Sequence, residues 1–547
     1  MVNSIFSTSA GKWKLVFRPC CKPCRRHDDF SKNPMMPFLK KLIRDVLVLG
    51  VIVLAAGPTP ARAAGEPYRP QFHFTPERNW LNDPNGLVYY QGEYHLFFQY
   101  NPYGIGGAYK SWGHAVSRDL VRWEELPVAI PYANGIEIYS GSAVIDWNNT
   151  SGFGRNGKPP MIAIYTGHNP KAKLQSQYVA YSNDRGRTWT VHGEVLSVGS
   201  PEFRDPKVFW HAATKRWVMV AVMALENRAV IFTSPNLKQW TFASSFGPAG
   251  GRGKNWECPD LFELPVDGGA SGEKRWVLGI NLGDNAVGGG SGGQYFVGDF
   301  DGTRFTPVQG WAGDAQWMDY GADFYAAVSW NDLPKDDPRR IWIGWANDWR
   351  YAEAIPTWPS RGLMTVPRQV TLRKLPDGYR VIQTPVREVA TLHGTRQDFT
   401  ATLNDSPTAL PIQGGSADLE FAIDAGSSEQ VAITLTDGEG YQTVVGVNPT
   451  VNEVFLDRTR SGPHFHDGFA ARHVAPVDLK TRRVKLRILA DESILEVFIN
   501  DGERTITDRF FRGSSPLRWS SSSRGGSAQL KLTAWSMNAG PVKVAAK

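Results

Sequence analysis

The chain has almost no cysteine. Of its four cysteines, Cys20, Cys21 and Cys24 precede a processing signal, which leaves Cys258 alone. One thiol forms no intramolecular disulfide, so the fold must rest on its core, which a chain of this length can bury easily. The Cys20/Cys21/Cys24 cluster has no second pair of Cys or His ligands, and no HExxH motif occurs. We therefore expect no metal and no cofactor. Helical periodicity is nearly absent after the leader, which argues for an all-β chain. Long apolar runs are missing too. The Val46–Ala56 run spans 11 residues, short of the roughly 20 that a membrane helix needs. Excess charge is also lacking once the leader is set aside. Residues 1–63 carry a net +8 of the formal +7, leaving about −1 for the rest. No basic patch points to nucleic acid.

What is present begins with that leader. Lys40, Lys41 and Arg44 precede the apolar run, and Pro58, Pro60 and Ala61-Arg62-Ala63 follow it. This is the order of a signal peptide with an A-x-A cleavage site. We expect residues 1–63 to be a leader cut near Ala63. The mature chain would then be secreted or periplasmic, with no stable membrane insertion. A start at Met35 or Met36 would give the leader a more ordinary length.

From about residue 80 to 350 one unit is written five times. Each opens with a short polar-then-apolar strand: NDPNGLVYY, YSGSAVIDW, RDPKVFW, ECPDLFEL and DYGADFYAAV. A very apolar strand follows: YHLFFQY, PMIAIYTG, RWVMVAVM, RWVLGINL and RIWIGWAN. Four of the five close with a third strand and a tight turn. Read from Asp83, Ser140, Asp205, Glu257 and Asp319, the period is about 50–65 residues. Such repeats predict a five-bladed β-propeller, here over residues 64–375. After it the texture changes. Residues 376–395 read as a linker, and 396–547 as a β-sandwich of alternating strands such as 417–424, 430–436, 483–489, 494–499 and 529–535. Asn500-Asp501-Gly502 is a hairpin turn signal. The sandwich shows no catalytic constellation and reads as a brace for the propeller or a contact for long substrates.

The first strand of each propeller blade lines the central channel. Asp83, Asp205 and Glu257 would then face one funnel from blades 1, 3 and 4. Clustered carboxylates suit glycoside hydrolysis, in which a retaining enzyme uses two, one as nucleophile and one as acid/base. Asp83 is short and held by a turn, which suits a nucleophile. Glu257 has longer reach and apolar neighbours, which suit a proton donor. Arg204 beside Asp205 should keep that acid ionised, ready to grip sugar hydroxyls.

The motifs WLNDPNG, FFQYNP, WGHA, YSGSAV, FRDPKV and ECPDLFEL, with ILEVFINDGE further on, resemble glycoside hydrolase family 32, the β-fructosidases. The resemblance covers most of residues 70–370. It implies a five-bladed propeller plus a sandwich, and retaining hydrolysis of β-fructofuranosides such as fructan or sucrose. It also implies Asp83 as nucleophile, Glu257 as acid/base and Asp205 as transition-state stabiliser. Asn82, Gln99, Ser140 and Arg204 match positions that hydrogen-bond the terminal fructose. Trp80, Trp112 and Trp345 match pocket aromatics. Asp319 and Asp323 match a segment that we read as structural. One departure is Tyr139, where plant-type members often carry Trp.

The expected function is exo-acting release of fructose from levan or inulin, and from sucrose, with a funnel closed by Trp112 and Trp345. An invertase is the nearest alternative. An endo-levanase or a fructosyltransferase would use the same acids. A lectin-like propeller with a dead site would be expected only if one acid were missing.

Overall fold

The most apolar stretches become the second strand of each blade, hydrogen-bonded on both sides and closed off on both faces. Strand Glu93–Asn101 is buried along its whole length, as is nearly all of Arg216–Met223. Unbroken apolar runs suit that position, whereas alternating runs suit strands with one wet face. The computed structural model describes Glu66 and residues 68–308, 315–412, 414–538 and 543–544. The leader expected over residues 1–63 lies outside the described residues.

The inner strands are Asn79–Tyr90, Glu137–Ile145, Phe203–His211, Trp256–Pro265 and Tyr325–Ser329. Each touches the next, and the fifth touches the first, so they close a ring. Each continues outward into its own antiparallel sheet, giving five blades. The propeller is latched twice on blade 1. Ser360–Arg361 pairs in parallel with Asn79–Trp80 on the inner edge, and Lys543–Val544 pairs in parallel with Glu124–Glu125 on the outer edge. Aromatic and aliphatic cores fill the spaces between blades, as where Val144 and Ile162 meet Val208, Met219 and Trp217.

The fifth blade differs from its sequence reading in two ways. Its inner strand starts at Tyr325, so the repeat is set by Tyr325 rather than Asp319. The blade also runs further, because Gly378–Pro385 pairs along all of Arg368–Leu375. The stretch read as a linker over 376–395 thus holds an outer blade strand, a 3-10 turn at Arg387–Leu392 and the start of the His393–Leu403 strand. A proline-containing turn, Leu375-Pro376-Asp377-Gly378, looked like an exit from the domain but is a hairpin within it.

The C-terminal half is two stacked six-stranded sheets around one aliphatic core that includes Leu419, Ile433, Val447, Leu486 and Ile506. Asn500 and Asp501 both take left-handed backbone, with φ 48° and 59°, as a two-residue hairpin turn requires. Buried ion pairs join the sandwich to the propeller. Arg368 of blade 5 donates to Glu496 and Thr507 of the sandwich at 2.9 and 2.6 Å. Asp319 accepts from Thr507, and Asp323 accepts from Arg458 and the Arg509 backbone. Asp319 and Asp323 therefore have the structural role read for them.

Candidate active site

Three features of the sequence recur at one level of the ring. An acid or polar residue sits there, a β-bulge follows it, and in three blades a proline comes next or nearly next. The pairing register slips at Leu81/Pro84, Ile138/Gly141, Glu257/Asp260 and Tyr325/Val328, and opposite Arg204–Lys207. A bulge adds one residue to a strand and re-aims its side chains. Proline suits a bulge because no N–H is needed there, as at Pro84, Pro206 and Pro259. Asp205 (φ 61°), Cys258 (φ 43°) and Ala326 (φ 54°) take left-handed backbone at these points. Gly86 (φ 54°) does the same, and a Cβ there would lie 2.6 Å from Phe97 and 2.8 Å from Trp112.

These turns bring the acids together. Oδ2 of Asp83 accepts from the Ser140 hydroxyl at 2.5 Å and from Nε2 of Gln99 at 3.1 Å. Oδ1 accepts from Nδ2 of Asn82 at 3.0 Å. The Cys258 thiol lies 3.5 Å from Oδ2 of Asp83 and 3.7 Å from Oδ2 of Asp205, bridging two blades. Asp205 also accepts from the Cys258 backbone N–H at 2.9 Å, and its own N–H donates to Thr166. Next in the chain, Oε1 of Glu257 accepts from Nε of Arg204 at 3.1 Å, and Oε2 accepts from the Tyr325 hydroxyl.

Burial governs the charges. It raises the pKa of Asp83. The Ser140 hydrogen bond opposes that rise, and the negative charge of Glu257 adds to it. Asp205 is pushed up to about 7, first by burial and then by Glu257. Arg204 acts against this rise, as its place beside Asp205 suggests. The guanidinium makes no hydrogen bond to Asp205, because its N–H groups are directed to Glu202, Gln175 and Glu257. Burial and the charge of Glu257 thus raise both Asp83 and Asp205. Burial also pushes the Cys258 thiol and the Tyr325 phenol well up, so both stay protonated donors.

On the C-terminal side of the acids, polar side chains cross-link the inner strands. Nζ of Lys207 donates to the Ser329 carbonyl at 2.6 Å and pairs with Asp260 at 3.2 Å. Nδ2 of Asn331 donates to the Ala143 and Val208 carbonyls. These side chains form a floor, and a cavity of about 10 Å³ lined by Asp205, Cys258, Lys207 and Ser329 lies against it.

Residues 73–385 match the Glycosyl hydrolases family 32 N-terminal domain, and 388–536 match the Glycosyl hydrolases family 32 C terminal domain. The chain belongs to glycoside hydrolase family 32. It is 47% identical over 489 residues to the levanase of Bacillus subtilis, covering 86% of this chain and 71% of that one. It is 41% identical over 519 residues to the extracellular exo-inulinase of Aspergillus awamori, covering 87% and 96%. A crystal structure of the Aspergillus awamori exo-inulinase superposes with a TM-score of 0.81, at 39% identity over 87% of this chain and 99% of that one. The β-fructofuranosidase of Schwanniomyces occidentalis, solved with fructosyl-erythritol, gives 0.80 at 32% identity, covering 86% and 98%. The chain is thus a glycoside hydrolase acting on O-glycosidic bonds, built as a propeller and a sandwich.

In this enzyme, Asn82, Asp83, Gln99, Ser140, Arg204, Asp205 and Glu257 form one connected cluster. The three tryptophans do not line it. Trp80, Trp112 and Trp345 are fully enclosed, and each indole N–H is bonded to a neighbouring element: Trp80 to Asn82, Trp112 to the Tyr139 carbonyl and Trp345 to the Leu81 carbonyl. They wedge the strands that carry the site, so Trp112 and Trp345 do not wall the funnel. The ring that reaches the surface is Trp349, half-buried and stacked on Trp80 with centroids 6.0 Å apart. Lys110 lies over both Trp349 and Tyr139, 5.8 and 5.2 Å from the ring centres. Tyr139 in turn stacks on His168 at 4.8 Å.

The sequence reading missed Trp349, Lys110 and Tyr325 as parts of the site. Only Tyr325 left a signal, since it holds the fifth-blade position equivalent to the acids. Among the described residues no group of three or more His, Cys, Asp or Glu is arranged to hold a metal.

Proposed function

We propose that the enzyme is a retaining, exo-acting β-fructofuranosidase that removes terminal fructose from levan or inulin and also splits sucrose. The observation that carries this reading is the unequal bonding of the Asp83 carboxylate. Oδ2 faces three donors, Ser140, Gln99 and Cys258, whereas Oδ1 has only Asn82. Oδ1 keeps the free lone pair and is the attacking atom. It bonds to C2 of the terminal fructosyl unit as the glycosidic C2–O bond breaks, and Glu257 gives its proton to the departing oxygen. Water then attacks C2, Glu257 takes its proton, and Asp83 is released with configuration retained.

Arg204 and Tyr325 fix one oxygen each of Glu257, which suits a group that must both give and take a proton at one place. Asp205 holds sugar hydroxyls and steadies the oxocarbenium-like transition state. Asn82, Gln99, Ser140 and Arg204 complete the sugar contacts, with Trp80, Trp112 and Trp345 as positioning residues behind them. The floor cross-linked by Lys207 and Asn331 supports exo action, because it leaves little room for a chain to pass through the ring. The levanase, exo-inulinase and β-fructofuranosidase names of the relatives support the substrate class. The word extracellular in one of them supports secretion. No helix among the described residues is long and apolar enough to cross a membrane.

Chromatography of early products from levan, inulin and sucrose tests the reading. Fructose alone from the polymers is expected. Oligosaccharides appearing first would refute exo action.

A further inference from the structure

The inner strands all run the same way, so the propeller has a second mouth at their C-terminal ends. Around it lies a hollow of about 560 Å³, within the size range of small-molecule sites. Its walls are aromatic. Trp147 is 59% exposed, yet its indole N–H donates to Oδ1 of Asp332 at 2.8 Å and its ring meets Tyr90 edge-on at 5.8 Å. It is a held ring with a wet face. Trp210 is half-buried across the hollow and packs edge-on against Trp217 at 5.2 Å. Trp276, also half-buried, lies 5.7 Å from Phe209.

Two planar charged groups stand at the base. Asp332 accepts from Trp147 and from the Ile145 N–H at 2.9 Å, with lone pairs to spare. Arg340 donates through Nη1 to the Trp330 carbonyl at 3.1 Å, and its other guanidinium nitrogens have no hydrogen-bond partner among the described residues. An apolar peptide or a second apolar surface would leave these groups desolvated and unpaired. A sugar chain would stack its ring faces on the indoles and pair its hydroxyls with Asp332 and Arg340. From Asp205 to Trp210 the strand advances about 16 Å, and the floor of Lys207, Ser329 and Asn331 lies between. The two mouths are therefore separate sites.

We propose that this hollow is a second, non-catalytic binding site for a segment of the fructan chain. The ligand class rests on the β-fructofuranosidase reading. Holding the polymer on the opposite face would raise the local concentration of chain ends at the acids without any new contact there.

The test uses the full chain carrying Trp147→Ala and Trp210→Ala, with Trp147→Ala alone as the milder variant should the pair fold poorly. Electrophoresis through gels containing levan or inulin reads polymer binding, and sucrose hydrolysis reads the catalytic site. We expect loss of retardation in the polymer gel and a rise in polymer KM of about 3–10-fold. The sucrose kcat and KM should stay within about twofold. Unchanged retardation with both polymers would overturn the proposal, as would a wild-type enzyme that hydrolyses fructan without being retarded by it. A change in oligomeric state at constant retardation would also overturn it, in favour of a second copy of this chain. Failure of the β-fructofuranosidase reading would look different, since the wild type would then release no fructose from any of the three substrates.

Discussion

Tyr325 donates its hydroxyl hydrogen to Oε2 of Glu257, so the fifth blade orients a side chain of the fourth. Tyr325 is fully buried and its phenol pKa is pushed well up, which keeps it a donor throughout the working range. Arg204 fixes the other oxygen. Tyr325→Phe should free the carboxyl to turn about its last bond. A displacement on the order of 1 Å at a reacting group costs about 10²-fold. We expect kcat to fall about 10–100-fold with KM within about threefold. Wild-type turnover in this variant would end the positioning role.

The roles of the two reacting acids separate by chemical rescue. Asp83→Ala and Glu257→Ala should each lower turnover on the order of 10³–10⁶-fold without loss of fold by circular dichroism. With an activated leaving group, azide should rescue Glu257→Ala, because the fructosyl-enzyme still forms and azide replaces the water that needed a base. The product is then a fructosyl azide of retained configuration. A retained azide product from Asp83→Ala, or an inverted one from Glu257→Ala, would exchange the two assignments.

Asp205 makes stability depend on pH in a definite direction. Its pKa rises from 3.8 to about 7 on folding, so between these values the folded state binds more protons than the unfolded. Stability is then greatest below about 4 and is lost as pH rises through 7. Asn cannot ionise. Asp205→Asn should match the parent near pH 4 and exceed it by about 1–3 kcal/mol above pH 7, read as a difference in thermal midpoint at the two pH values. An equal effect at both would show that burial does not govern this group. The same variant should lose activity, which would show that the strain belongs to the site.

The parts of the fold and site that the sequence revealed are those written in local pattern. The blades follow from repeated polar-then-apolar strands, and the three acids from their equal places in those repeats. Trp349 stayed hidden because exposure is a tertiary property. Among 20 tryptophans, nothing local distinguishes Trp349, half-buried, from Trp345, sealed four residues earlier. The partners of Arg204 were hidden for a related reason. Adjacency in the chain suggested a pair with Arg204, yet the left-handed turn at Asp205 sends the two side chains to different partners. The blade strand Gly378–Pro385 was masked by Pro376 and Gly378, which signal a hairpin and a domain exit equally well.

Arg368 gives the last prediction, at the joint between the two halves. It is fully buried, bonds to Glu496, Asp319, Gln383 and Thr507, and lies over the rings of Phe324 and Phe498 at 4.3 and 5.0 Å. Removing one partner of a buried ionic network leaves the others desolvated and costs about 3–5 kcal/mol. Arg368→Met fills similar volume without charge, so it isolates the electrostatic loss and should lower stability to urea by that amount. His73 still donates to Glu496 at 2.8 Å, which places the expected cost toward the lower end. Adding Glu496→Gln removes the stranded charge, so the double variant should be less damaged than the sum of the two single changes. Strict additivity would mean that Arg368 and Glu496 act independently, and that packing rather than charge holds the sandwich to the propeller.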